Sequence, residues 1–171
     1  MGWASIAQQI DRLNAAIGRV VANAALLMAL ITTGIVVMRY GFGQGSIGAQ
    51  ESVLYLHATL FMLGAAPTLL ADKHVRVDVF YRVVSERRQT WVNTIGHTAF
   101  TLPFCALIFF GSYAYVAESW YILEGSPDPG GIPAVFLLKT LMPLLAVLLA
   151  LQAISQIIKG LIVLSEAPDN G

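Results

Sequence analysis

The sequence predicts an all-α membrane protein of four transmembrane helices, and three observations carry that expectation. Of 171 residues, 57% are hydrophobic and only 12% charged, with a mean hydropathy of +0.70, which suits lipid better than water as the bulk solvent. Four apolar runs, residues 17–38, 52–71, 91–117 and 134–158, reach the roughly 20 helical residues needed to cross a core of about 30 Å. Between them lie stretches dense in Gly, Pro or charge, with no strand pattern, internal repeat or low-complexity segment. The net charge is zero, so no long-range field points to nucleic acid.

The first element is an amphipathic segment, residues 3–16. Trp3, Ile6, Ile10, Leu13 and Ile17 recur at helical spacing, with Gln9, Asp11 and Arg12 on the other side, a pattern expected to lie flat before the first span. From Val20 to Met38 the first span is too long for the apolar region of a signal peptide and ends at Arg39 without a cleavage pattern, so it is read as retained. "GFGQGSIG" then leads to Glu51, which opens the second span. Trp91 at the inner end of the third span, and Trp120 with Tyr121 at its outer end, are expected as interfacial anchors. "EGSPDPGGIP" stops helices, and the fourth span accommodates Pro143 as a kink. The single Cys105 cannot form an internal disulfide and is expected to pack.

Charge sets the direction. Of the ten basic residues, Arg12, Arg19, Lys73, Arg76, Arg82, Arg87, Arg88 and Lys159 fall on one side and only Arg39 and Lys139 on the other, which predicts that both termini are cytoplasmic. The basic stretch from Lys73 to Arg88 is then the inner loop between the second and third spans. Within it, residues 77–89 place Val79, Phe80, Val83 and Val84 on one side of a wheel and Asp78, Arg82, Ser85, Glu86 and Gln89 on the other. That pattern predicts an interfacial helix, with Arg82, Arg87, Arg88 and Trp91 meeting phospholipid. Asp78 either caps this helix or pairs with Arg82.

Sites for chemistry are scarce. His57 and His97 raise the alternative of a haem- or quinone-binding anchor of a redox enzyme. Each lies about 9 Å from an opposite end of its helix, so the two differ in height by about 12 Å, whereas axial ligands of one iron must be level. No second Cys or carboxylate cluster offers a metal site, so no metal or cofactor is expected and the chain is not read as an enzyme. A self-sufficient carrier needs an ionisable group near the midplane and matched broken helices in two related halves, and neither pattern is present. What remains is an outer ring of charge: Arg39, Glu51, Glu118 and Lys139. Lys139, one turn into the last apolar run, needs a partner such as Glu51 or Glu118. Gly64, Ala65 and Ala66 are small enough to let two helices approach closely.

"RYGFG" after the first span, "AQES" opening the second and "LGAAPTLLADKHVRVD" leaving it, followed by an interfacial helix, resemble the small membrane subunit of tripartite ATP-independent periplasmic (TRAP) transporters, the DctQ-like family. The most specific part is Lys73, His74, Val75, Arg76, Val77 and Asp78 after the Gly64 stretch. Family members often carry a Trp before the Glu that opens the second span, where this chain has "SIGAQE". The resemblance implies two partners, a large multi-span membrane subunit and a periplasmic substrate-binding protein. It further implies sodium-driven uptake of an organic acid, a carboxylate or 2-oxo acid, across a bacterial inner membrane. The small subunit would serve as scaffold and anchor, with Arg39, Glu51 and Lys139 helping the complex meet its binding protein.

Overall fold

The computed structural model describes residues 2–73 and 85–166. Among them there is no strand, and four helices are long and apolar enough to cross a membrane: α1 (Trp3–Phe42), α2 (Ile47–Leu70), α3 (Glu86–Tyr121) and α4 (Val135–Glu166). The chain is a multi-pass membrane protein. Its exposed surface is that of a lipid-facing bundle, with Phe61, Phe100, Leu107 and Phe110 each more than 70% exposed.

Each end of a helix has a local cause. Gly43 stops α1 in the left-handed conformation, at φ 68°, where its N–H reaches back to the Met38 carbonyl. Ser46 then caps α2, its side chain accepting from the Ala49 N–H at 3.3 Å. In α3 the helix widens to a π-turn over His97–Thr101, with the Leu102 N–H bonded to the His97 carbonyl. Pro103 explains it: proline lacks the N–H that would serve the Ala99 carbonyl and its ring crowds that group, so an extra residue in the turn relieves the clash.

The apolar centre is small. Leu69 of α2, Cys105 of α3 and Ala146 and Leu149 of α4 form a buried cluster, with Ile108, Phe109 and Ala150 against it. Cys105 is thus a packing residue, its thiol out of solvent.

Two expectations change here. The segment 3–16 and the run 17–38 are one uninterrupted helix, within the 40 residues and about 60 Å of α1, and in the segment Asn14 and in part Asp11 turn inward while Gln9 and Arg12 stay exposed. Asn14 is fully buried against α4, whereas Trp3 is 71% and Leu13 47% exposed. The reason is that Asp11 and Asn14 find polar partners on α4, which water at a surface would otherwise have to supply.

The close helix approach also uses a different glycine. A Cβ built at Gly64 would meet nothing within 4 Å, whereas one at Gly18 would lie 2.8 Å from the Pro67 Cβ. Neighbouring Ala66 is 1% exposed, so small residues do let α1 and α2 approach, but the hydrogen-only position is on α1.

Candidate functional site

At the end of the bundle predicted to be outer, the loop of residues 122–134 folds back onto the start of α2, and Glu51 is the group that holds it. One carboxylate oxygen accepts from the Ser126 hydroxyl and the other from the Ile132 N–H at 2.5 Å. Ser126 and Ile132 are themselves joined, N–H to carbonyl, at 3.1 Å, and the Gly131 N–H reaches the Asp128 carbonyl at 2.9 Å. The turn forms because Gly130, at φ 84°, and Gly131 supply conformations and room that a side chain would deny. With both oxygens engaged inside the chain, Glu51 is a latch.

Lys139 has a different partner from either one expected. It donates to Glu124 in an ion pair, and its ammonium also lies 3.8 Å from the centroid of the Tyr115 ring. Glu51 is taken by the loop and Glu118 is exposed on α3, while the fold-back of the loop brings Glu124 over the first turn of α4. Beside it the Trp120 indole donates to the Thr140 hydroxyl at 2.8 Å and its ring meets Phe136 edge-on, so Trp120 ties α3 to α4. Of the predicted outer ring only Arg39 and Glu118 are left exposed.

The hydrogen bond from Lys139 holds the Glu124 carboxyl below the ordinary carboxylate range. A depressed folded-state value means that the pairing stabilises the loop fully above the unfolded carboxylate value, 4.5, and is lost as pH falls through the folded one. Acidification below that value is therefore expected to break the Lys139 pair and loosen the Glu124 stem of the loop, read as a rise in the mobility of a spin label at Leu123, while the Glu51-held turn stays closed. The variant Glu124→Gln should show the mobile signal at neutral pH with no acid transition. An acid transition retained in this variant would assign the release to another group.

At the opposite end, where α1 begins and α4 closes, lies a polar cluster that the sequence reading did not assemble. The Asn14 amide donates to Gln152 Oε1 at 2.8 Å, and Gln152 Nε2 donates to Asp11 Oδ1 at 3.0 Å. The Ser155 hydroxyl donates to the same oxygen at 2.7 Å, and Lys159 Nζ reaches Asp11 Oδ2 at 2.8 Å. Asn14, Gln152 and Ser155 are all 0% exposed. The signal that could have found it is the spacing of Gln152, Ser155 and Lys159, three and four apart, a polar stripe on an otherwise apolar helix. A carboxylate with three donors aimed at it is held as a structural group. Gly160 completes this end of the bundle, since a Cβ there would overlap the Thr94 hydroxyl of α3.

The other predicted residues fall as follows. Lys73 is exposed, its N–H bonded to the Thr68 carbonyl at 3.1 Å. Arg87 and Arg88 are exposed on the first turn of α3, and Trp91 is 47% exposed one turn on. His74, Arg76, Asp78 and Arg82, with most of the predicted helix 77–89, lie outside the described residues. His57 is exposed on α2 and stacks on Phe61, while His97 Nδ1 lies 3.3 Å from the Thr101 hydroxyl within α3. Among the described residues no group of three or more His, Cys, Asp or Glu side chains could hold a metal ion. What these arrangements do chemically is bind helices to one another.

Comparison with known proteins places the chain in a family. The model of the DctQ component of the tripartite ATP-independent periplasmic transporters matches residues 28–162. The chain is also similar to the C4-dicarboxylate TRAP transporter small permease protein DctQ of Vibrio cholerae serotype O1, at 27% identity over 107 residues. That alignment covers 60% of this chain and 46% of the relative, so it spans about half of the relative's length. No solved structure matches the chain.

Proposed function

The chain belongs to the DctQ component family of the tripartite ATP-independent periplasmic transporters, and from that premise we propose that it is the small membrane subunit of a sodium-coupled, binding-protein-dependent transporter. Its substrate is an organic acid, a carboxylate such as a C4-dicarboxylate or a 2-oxo acid. Its partners are a large multi-span subunit, which carries the substrate, and a periplasmic binding protein, which delivers it. The observation that carries this reading is the family match, which runs from the middle of α1 to the inner end of α4.

The bundle supports a scaffold role. The Glu51 latch joins α2 to the outer loop, and the Asp11 cluster joins α1 to α4, so both ends of the bundle are tied. Such a body gives a moving transport domain something that resists sliding and tilting in lipid. The bias of Lys and Arg supports a bacterial inner-membrane setting with both termini cytoplasmic. Arg39 and Glu118, exposed at the outer end with Asp128 of the loop, are then charges available to a periplasmic partner.

The test is sodium-driven uptake of a radiolabelled C4-dicarboxylate and a 2-oxo acid by cells carrying the complete system with or without this chain. Uptake that requires the chain supports the reading, and uptake at full rate without it overturns it. The double change Arg39→Glu with Glu118→Lys is expected to slow uptake at limiting binding protein on the order of tenfold, through encounter rate, with membrane insertion retained. An unchanged rate would move the binding protein off this chain.

A further inference from the structure

We propose that the groove between α1 and α2 is a binding site for an anionic phospholipid of the cytoplasmic leaflet, with Arg12 and Arg19 meeting its phosphate and the groove taking an acyl chain. The groove has a volume of about 780 Å³ and runs along α1 from Ala16 to Leu30, with Leu56 and Leu63 of α2 as its second wall. Fourteen residues of helical rise make it about 21 Å long, a length suited to a lipid tail.

Its lining is apolar because its polar members are already satisfied. The Asn23 amide donates to the Arg19 carbonyl at 2.9 Å, and the Thr59 hydroxyl donates to the Tyr55 carbonyl at 2.8 Å. A polar solute would find few groups to bind there. A hydrocarbon chain needs nothing more.

The inner mouth is charged. Arg19 lies one turn inward of Asn23, and Arg12 lies two turns further on the same side of α1, both exposed. Among the described residues neither guanidinium has a carboxylate partner. Two cations at the inner mouth of a long apolar trough complement an amphiphile with an anionic head, and the cytoplasmic leaflet is the anionic one. A transmembrane helix of a partner would fill the trough but would match both guanidinium groups only if it carried acidic residues at the same depth.

The experiment is native mass spectrometry of the purified full chain, released from detergent after equilibration with equal amounts of dioleoyl phosphatidylglycerol and dioleoyl phosphatidylcholine. Retention of phosphatidylglycerol in preference to phosphatidylcholine is expected. At roughly fivefold per arginine, the double variant R12Q/R19Q should reduce that preference on the order of tenfold to thirtyfold. Thr59→Phe, on the other helix and remote from both arginines, should fill the trough and displace both lipids, while R39Q at the outer end should change neither.

Three results would overturn the site: an unaltered preference in R12Q/R19Q, lipid retained in full by Thr59→Phe, or displacement of the lipid by millimolar inorganic phosphate alone. A cysteine at Leu27 that crosslinks in the intact complex to the large subunit, with no lipid retained there, would equally replace the lipid by a helix.

Discussion

Replacing Gln152 by Leu is expected to destabilise the bundle by about 1–2 kcal/mol, and replacing Asn14 by Leu at the same time to recover most of that loss. Gln152 accepts from Asn14 and donates to Asp11, and both amide side chains are 0% exposed. Leu at 152 removes a donor and an acceptor together, leaving the Asn14 amide buried without a partner. That orphaned group, more than the lost bond, is what costs. Lys159 and Ser155 still serve Asp11, so the ion pair survives and the loss stays moderate. The double variant places two apolar side chains in contact where two amides met, so its desolvation penalty is small. Unfolding in SDS followed by far-ultraviolet circular dichroism measures both. Equal losses in the single and double variants would mean that Asn14 is solvated and that α1 does not pack on α4 in this way.

Gly18→Leu is expected to cost more, about 1–3 kcal/mol or a visible loss of folded protein, because the first atom of the new side chain already falls 2.8 Å from the Pro67 Cβ. A proline ring within a helix cannot swing aside, so α1 and α2 must part. Gly18→Ala sets two effects against each other. Helix propensity favours Ala over Gly by about 1 kcal/mol, while the same contact opposes it by about 1–3 kcal/mol, so the net change should be a smaller loss. Gly64→Leu is the control, since open space surrounds that position. Thermal unfolding in detergent ranks the three. A stabilising Gly18→Ala would show that the helices are further apart than the Gly18 to Pro67 contact requires.

Hydropathy and length were enough to read the four helices, because both are properties of a run and survive errors of several residues at its ends. The residues that tie the helices together were not legible in the same way. Asn14 and Gln152 are 138 positions apart, and nothing local to either says that they meet. Periodicity in residues 3–16 does not by itself say which residues meet a neighbouring helix. Asn14 and in part Asp11 turned inward, while Gln9 and Arg12 stayed exposed along with Trp3 and Leu13. Lys139 was correctly read as needing a partner, yet the choice among Glu51, Glu118 and Glu124 depended on how the loop of residues 122–134 turns, which Gly130 decides through one backbone angle. The π-turn had a cause in Pro103 that sits two residues beyond it.

Purification of a tagged copy from its native membrane, with its partners identified by mass spectrometry and the absorption spectrum of the eluate recorded, asks whether this chain works as part of a transporter or by itself. A colourless complex is expected, with one large multi-span membrane protein, that transports an organic acid only with sodium and a binding protein present. A chain that elutes alone and transports by itself in liposomes, or an eluate with a haem Soret band, would contradict it and return attention to His57 and His97.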